Sequence, residues 1–287
     1  MNKLVKYNPQ TDLIESSWNQ LAKNSQAGYK SDLAIFYDFV KKDLVDVTAA
    51  DIIAYRDFLV EKRYKNTTIN RKLASLSKVC NVYHISGAIK VNPHELAKQT
   101  GKLHFKAIKA PFVLPTMQNI RDCIAAKDVR LTDMHCKIMI KFLVKTAVRV
   151  SEMINIELRD ITEINSTHVQ IKVVGKGGVE RYIPVKKSFI KQIRKIFNHD
   201  TLLFCSVHNE KYNRRFVYQL IKDRFRRVCD IKSKPHAMRH FFATYKLVVE
   251  KKDLKAVSRF LGHSSTAITS DTYQHAEMSI KDVEMDV

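Results

Sequence analysis

The stretch Val169-Gln170-Ile171-Lys172-Val173 is followed by Gly175-Lys176-Gly177-Gly178 and then by Arg181-Tyr182-Ile183-Pro184-Val185. Apolar and polar residues alternate on both sides of the glycines, which is the period of a half-buried β-strand. Two such runs joined by a glycine-rich turn predict a β-hairpin. Because the surrounding sequence has helical periodicity, this stretch decides the fold class, a mainly α chain with a small β-hairpin or sheet.

Helices are predicted on both sides of the hairpin. Upstream, we expect helices near residues 116–127 and 133–147. Downstream, residues 211–229 form an amphipathic pattern, and a last helix over 253–261 is expected to end at Gly262, because glycine favours the left-handed conformation that closes a helix. These elements predict an α+β domain over residues 108–287.

The preceding residues 1–107 predict a separate domain of four helices. One helix begins near Ser25 and places Tyr29, Leu33, Phe36 and Val40 at helical spacing. Thr48 is the predicted N-cap of the next helix. The helix that opens at Asn66 carries an apolar stripe of Ile69, Leu73, Leu76, Cys80 and Tyr83. Residues 101–115, which contain Gly101, Pro111 and Pro115, predict a basic linker.

The chain of 287 residues has 50 Lys and Arg against 29 Asp and Glu, a formal charge of +21. Such an excess favours a polyanionic partner, with a generally basic protein as the plain alternative. The face opposite the Asn66 helix stripe carries Arg71, Ser75 and Lys78, and the helix of residues 211–229 projects a second basic set. The candidate DNA contacts are Arg71, Lys78, Arg215, Lys222 and Arg226.

The five cysteines are widely spaced and contain no C-x-x-C pair, so they predict reduced residues that lie mostly in the core. The first residues lack an apolar signal core, and no apolar run reaches transmembrane length. We therefore expect a cytoplasmic protein with no membrane contact. If the polyanion that its charge favours is DNA, we expect it to be associated with the nucleoid when it is bound.

Several residue types suited to phosphate chemistry recur along the second domain. Arg149 and Glu152 are three residues apart, the segment His236-Ala237-Met238-Arg239-His240 follows Pro235, and Leu261-Gly262-His263 precedes Tyr273 by ten residues. Arginine matches two phosphate oxygens at once, and tyrosine is a known covalent nucleophile. Each of these residues, considered alone, also has an ordinary structural interpretation. Lys176 could be a turn residue, His236 and Arg239 a structural pair, His263 a helix cap and Tyr273 a packing residue.

No metal site is predicted. His236 and His240 have the i, i+4 spacing of a zinc pair, but the glutamate of H-E-x-x-H and a third ligand are missing. The glycine-rich turn also lacks the spacing of a P-loop. The sequence therefore predicts no cofactor.

In this order, Arg149-x-x-Glu152, the Gly-Lys-Gly turn, H-x-x-R-H, L-G-H and the tyrosine resemble the tyrosine recombinases of the phage-integrase and Xer-like family over essentially the whole chain. The resemblance implies a SAM-like core-binding domain over residues 1–107 and a catalytic domain over 108–287. The implied catalytic residues are Arg149 and Arg239 as phosphate clamps, Lys176 as the donor to the leaving 5′-hydroxyl, His236 in proton transfer, His263 at the phosphate and Tyr273 as nucleophile. Glu152 and His240 are implied supporting residues.

One departure is the pair Ala147-Val148, where the family commonly has Gly-Leu; we interpret it as a packing change. The resemblance further implies a homotetramer on two duplex DNA sites with inverted half-sites, a 3′-phosphotyrosyl intermediate and a Holliday junction, with neither metal nor ATP. Residues 276–287 are expected to form a tail that docks into a neighbouring protomer, with a helix that folds back on its own domain as the alternative. A chain that begins almost directly with the core-binding domain favours an element integrase or a dimer resolvase. A non-catalytic helical DNA-binding protein and a type IB topoisomerase are the alternative functions.

Overall fold

The computed structural model describes residues 23–100, 103–106, 114–175 and 178–262. The chain divides into two compact units, residues 1–110 and residues 111–287. Within the described ranges, no helix is both long enough and apolar enough to cross a membrane. The architecture confirms the predicted fold class, because helices dominate both units and the second unit contains one small sheet.

Four helices are described in the first unit: α1 (Lys23–Val40), α2 (Ala49–Glu61), α3 (Asn66–Ile85) and α4 (Pro93–Gln99). Thr48 is the N-cap of α2, as predicted, and its side chain accepts a hydrogen bond from the backbone N–H of Asp51. Asn92 caps α4 in the same way through the N–H groups of His94 and Glu95. Each cap satisfies N–H groups that would otherwise have no partner at a helix start.

The core of the first unit is built from the predicted stripes. Leu33 and Phe36 of α1 pack with Ile69 and Leu73 of α3, and all four are almost fully buried. The rings of Phe36 and Tyr55 meet edge to face at 5.0 Å between centroids. Burial of apolar side chains at about 25 cal/mol per Å² is the main stabilising contribution to such a helical unit.

A buried carboxylate changes the interpretation of the basic face of α3. Asp32 accepts hydrogen bonds from Lys72 Nζ at 3.0 Å and from Ser75 Oγ at 2.9 Å, and it also pairs with Arg71. The prediction that Ser75 faces outward is therefore wrong, because a carboxyl group buried in the core needs polar partners. Arg71 and Lys78 remain exposed, and Lys78 lies 5.3 Å from the ring centre of Tyr29.

Part of the predicted linker is fixed to the first unit. The amide of Asn70 donates to the carbonyl of Phe105 at 2.8 Å and accepts from the N–H of Phe105 at 3.1 Å. Leu103 is buried in the same core. Residues 103–106 therefore pack on α3, and the prediction of a linker over all of 101–115 is wrong at this segment.

The second unit begins with α5 (Met117–Ala125), α6 (Leu131–Thr146) and the short α7 (Val150–Met153). It continues with β1 (Ile161–Glu163), β2 (His168–Val174), β3 (Glu180–Lys186), α8 (Lys187–Phe197), α9 (Arg214–Cys229), α10 (Pro235–Thr244) and α11 (Leu254–Leu261). The helix predicted over 211–229 starts later, because Lys211 pairs with Cys205 in a β-bridge and Asn213 is the N-cap.

The sheet has the order β1-β2-β3 with antiparallel pairs. Val169 lies opposite Val185 and Ile171 opposite Ile183, which confirms the predicted hairpin and its buried face. The strand β1, which pairs Ile161 with Ile171, is absent from the sequence prediction. Its three residues are too few for a recognisable period.

Candidate active site

The first arginine of the site is fixed by the turn between α6 and α7. Ala147 ends α6 in the left-handed conformation, with φ of 51°. The chain then enters α7, and Arg149 is its N-cap. A left-handed backbone costs a non-glycine residue about 1–2 kcal/mol. The interpretation of Ala147-Val148 as a packing change is therefore incomplete, since glycine at position 147 would also relieve this backbone strain.

Glu152 holds Arg149 in place. Its carboxylate accepts a hydrogen bond from the backbone N–H of Arg149 and another from Arg149 Nη1, each at 2.7 Å. Glu152 is buried, whereas the Arg149 side chain is 34% exposed. Because Glu152 follows Arg149 by three residues, its carboxylate can cap the start of α7 and also orient the guanidinium of Arg149.

The same carboxylate has a second partner that the sequence prediction missed. Arg181 of β3 donates to Glu152 through Nη1 at 3.1 Å and through Nη2 at 2.6 Å. Burial raises the pKa of Glu152, but the hydrogen bonds and charges of Arg181 and Arg149 outweigh it and hold the pKa below its ordinary value. Glu152 is thus ionised at neutral pH.

The second predicted arginine, Arg239, is buried on α10. Its Nη1 donates to the carbonyl of Ala147 at 2.8 Å, and its Nη2 donates to the carbonyl of Leu261, the last residue of α11. Burial, followed by the charge of Arg149, lowers the pKa of Arg239 to about 9. The guanidinium therefore stays protonated at neutral pH, and it joins the ends of α6 and α11.

His236 is one turn before Arg239, so the two share a face of α10. Pro235 is at the first position of this helix, as predicted. Partial burial and the charges of Arg239 and Arg149 lower the pKa of His236, which leaves the imidazole neutral near pH 7. The rings of His236 and His240 meet edge to face at 4.6 Å between centroids.

These residues surround one pocket of about 240 Å³. Arg149, His236 and Arg239 line it together, so the structure brings three predicted residues to one place. The α9 helix contributes Arg214 and Tyr218 to the same pocket, and neither was predicted. Their signal in the sequence is weak, because two exposed polar residues at i, i+4 on a basic helix have no distinguishing pattern.

The other predicted DNA contacts of the second unit lie elsewhere on α9. Arg215 and Arg226 are exposed and Lys222 is half-buried, while Val217, Ile221 and Phe225 are buried. The predicted polarity of this helix is confirmed. Arg215, Lys222 and Arg226 do not line the pocket, and their contact with DNA stays a prediction.

Three predicted catalytic residues, Lys176, His263 and Tyr273, lie outside the described residues, as do residues 276–287. Their described neighbours agree with the predicted local structure. Gly178 has φ of 77° in the hairpin turn, and Gly262 ends α11 with φ of 65°. Both are left-handed conformations that favour glycine.

No group of three or more His, Cys, Asp or Glu that could hold a metal ion occurs among the described residues. The cysteines in this part of the chain are free thiols, and four of the five are buried, as predicted for core residues. The pocket offers the guanidinium groups of Arg149 and Arg239 and the neutral imidazole of His236.

Comparison with known proteins adds three findings. The sequence model of the phage integrase family matches residues 116–279. The tyrosine recombinase XerC of Thermodesulfovibrio yellowstonii is 28% identical over 272 residues, which cover 87% of this chain and 85% of that protein. A lambda integrase dimer bound to a COC′ core site has a similar fold, with a TM-score of 0.73 and 17% identity over 92% of this chain and 94% of that one.

A lambda integrase tetramer bound to a Holliday junction has the same fold as well. Its TM-score is 0.69, with 16% identity over 93% of this chain and 77% of that chain.

Proposed function

Because the chain belongs to the phage integrase family and is a tyrosine-type site-specific recombinase, we propose that it exchanges DNA strands through a 3′-phosphotyrosyl bond to Tyr273 and a Holliday junction. The observation that carries this proposal is the pocket in which Arg149, Arg239 and His236 converge. The proposed partner of this protein is duplex DNA with inverted half-sites. Its role is the integration or excision of a mobile element, or the resolution of replicon dimers, on DNA in the cytoplasm and nucleoid.

The two arginines bind the scissile phosphate. Arg149 presents a partly exposed guanidinium at the pocket, and Arg239 is held rigidly by two backbone carbonyls. Charges that are positioned before the reaction stabilise the phosphorane-like transition state at no cost of reorganisation. In this mechanism Arg149 and Arg239 supply the positive charge for which other phosphoryl-transfer enzymes use Mg²⁺.

His236 assists the proton transfer from the nucleophile. Tyrosine has an ordinary pKa of about 10, so at neutral pH its phenol needs a proton acceptor. The lowered pKa of His236 keeps its imidazole neutral and able to accept a proton. By family resemblance, Lys176 protonates the leaving oxygen and His263 holds the phosphate, while His240 supports His236.

In the proposed reaction, each bond that breaks is replaced by a new bond of similar energy, so no external energy source is required. The phenol oxygen of Tyr273 bonds to phosphorus, the bond from phosphorus to the 5′-oxygen breaks, and that oxygen takes a proton from Lys176. A 5′-hydroxyl of the partner strand then attacks the phosphotyrosyl bond and releases the phenol. One phosphodiester replaces another, so the reaction needs no ATP.

We expect recombination to proceed in EDTA and without ATP. A plasmid that carries two copies of the cognate site, obtained by sequencing DNA joined covalently to the protein in cells, should resolve into two circles at an unchanged rate, as followed on agarose gels. Recombination that requires added Mg²⁺, while DNA binding does not, would contradict the arginine-based mechanism. A control plasmid without a site should keep its supercoils, since relaxation there would indicate a type IB topoisomerase.

We also propose a cyclic tetramer held by the tail of residues 276–287. In the sequence of this tail, Ala276, Ile280, Val283 and Val287 have the spacing that predicts one apolar stripe on a helix, flanked by Glu277, Asp282, Glu284 and Asp286. The second unit has a groove of about 400 Å³ whose lining includes the apolar residues Val144, Phe189 and Phe241 and the basic residues Lys145 and Lys186. The complementary charges support docking of the tail into this groove of a neighbouring protomer.

Removal of residues 277–287 should abolish the pairing of two sites and ordered strand exchange, while it leaves binding to a single site intact. Ile280→Asp should have the same effect, because it places a charge in the apolar stripe, whereas Lys281→Ala beside it should not. Native gel electrophoresis with two labelled sites measures both steps. Normal tetramers formed by the truncated protein would show that the tail does not hold the assembly.

A further inference from the structure

Arg181 occupies an unusual place for a charged residue. It shares the face of β3 with Ile183 and Val185, because side chains alternate along a strand, and both of those residues are buried. Its own side chain is only 11% exposed. A guanidinium in such surroundings must be paired, since an unpaired buried charge is strongly destabilising.

Its charged partner is the carboxylate that orients Arg149. The two hydrogen bonds from Arg181 to Glu152, at 3.1 Å and 2.6 Å, form a fork that fits both carboxylate oxygens. Glu152 thus lies between a buried arginine on β3 and a partly exposed arginine at the pocket. The position of Glu152, and through it that of Arg149, depends on the strand.

The stem of Arg181 also packs against the end of α11. A Cβ atom added at Gly262 would lie 3.3 Å from Arg181 Cδ and 3.4 Å from its Nη1. One added at Gly175 would lie 3.6 Å from the same Nη1 and 3.8 Å from Glu152 Oε1. These glycines immediately precede His263 and Lys176 in the sequence. A side chain at Gly262 would therefore crowd Arg181, and the φ of 65° at that residue favours glycine as well, whereas these two distances from Gly175 are ordinary van der Waals contacts.

We propose that Arg181 is a positioning residue for strand cleavage, which fixes Glu152 and hence Arg149 against the hairpin and the end of α11. This inference rests on the proposed function, because it assigns Arg181 a task in that reaction. Arg181 itself does not line the pocket, so it acts through Glu152 and contributes no contact to the phosphate. Loss of Arg181 leaves the carboxylate with Arg149 as its sole hydrogen-bond partner among the described residues.

The pairing has a consequence for the dependence of cleavage on pH. The charged groups that face Glu152 in the described part of the chain are Arg149, Arg181 and Arg239. Arg181 is the largest of the influences that lower the pKa of Glu152, while burial raises it. Without Arg181 the folded-state pKa rises, so Glu152 takes up a proton at a higher pH and releases Arg149 there. Cleavage should then fall as the medium becomes more acidic.

The test uses single-turnover cleavage of a nicked suicide substrate by the full-length protein. Arg181→Ala should slow cleavage roughly 10- to 100-fold, the range expected for a coupled pair in contact, with DNA binding little changed. Arg181→Lys should recover part of the rate, because it restores the charge without the fork. Arg159→Ala is the matched control, since Arg159 forms an exposed ion pair with Glu157.

The pH profile separates positioning from a general loss of stability. The ratio of the cleavage rate at pH 6 to that at pH 8 should be lower for Arg181→Ala than for the wild type. In a Glu152→Gln background, Arg181→Ala should leave this ratio unchanged, because no carboxylate remains to titrate. If Arg181→Ala fails to fold, Arg181→Lys is compared with the wild type in the same way.

An unchanged rate and ratio in folded Arg181 variants would overturn the inference. An equal shift of the ratio with and without the Glu152 carboxylate would overturn it too, because the effect would not pass through that residue. Failure of the wild type to form any covalent product would instead contradict the proposed function. The two failures are therefore distinguishable in one set of reactions.

Discussion

Tyr273→Phe should bind its DNA site normally and form no covalent product with a nicked suicide substrate. The substitution removes the oxygen that attacks phosphorus and keeps the ring, so binding and folding should be preserved. The product is measured as a slow-migrating protein–DNA species on a denaturing gel. We expect the effect to be complete, because attack by water would give no protein-linked product.

Tyr218 provides a demanding control for this assignment. Its side chain lines the pocket beside Arg149, His236 and Arg239, and it is exposed. Tyr218→Phe should still form the covalent product. If Tyr218→Phe lost the product and Tyr273→Phe kept it, the nucleophile would be the tyrosine on α9, and the assignment drawn from the L-G-H spacing would be wrong.

Replacement of Arg149 or Arg239, the two proposed phosphate clamps, by alanine should slow cleavage by about 10²- to 10³-fold, the usual cost of removing one positioned charge from a transition state. Binding to the site should change far less, because this chain of charge +21 has many other cations that are available to neutralise DNA phosphates. Rates of single-turnover cleavage and gel-shift affinities measure the two effects separately. Near-normal cleavage by both variants would contradict the phosphate clamp.

The two arginine variants should differ in stability. Arg149 is partly exposed, so Arg149→Ala should unfold at nearly the wild-type temperature. Arg239 is buried and donates to the carbonyls of Ala147 and Leu261, which Arg239→Ala leaves without these donors. Each buried acceptor that loses its partner costs about 1–3 kcal/mol. Arg239→Lys keeps the positive charge but cannot donate to both carbonyls at once. It therefore separates the effect of losing the charge from the effect of losing the two hydrogen bonds.

Local signals in the sequence predicted much of the fold correctly. Thr48 caps its helix, Gly262 ends one, and Val169 to Val185 form the hairpin, because each feature depends on neighbours in the sequence. The site residues Arg149 and Arg239 were identified by their order in the chain, and the family that this order resembles is confirmed. Their joint position in one pocket is a property of the fold.

The features that were missed depend on partners far away in the sequence. The spacing of α3 predicts Ser75 on the outer face, whereas its burial depends on Asp32, which is 43 residues away in the sequence. For Arg181 the sequence does contain a usable signal. Its alternation with Ile183 and Val185 predicts a charged residue on the buried face of the strand. The partner of that charge, Glu152, is 29 residues away and could not be identified from periodicity alone.

The most direct test of the central claim is to map the covalent bond itself. The protein is trapped on a nicked suicide substrate and digested, and the peptide that carries the nucleotide is sequenced by mass spectrometry. We predict a phosphate on Tyr273 that is joined to the 3′ end of the DNA, with a free 5′-hydroxyl on the released strand. A phosphate on Tyr218 or any other residue, or a bond to the 5′ end, would contradict the proposed mechanism.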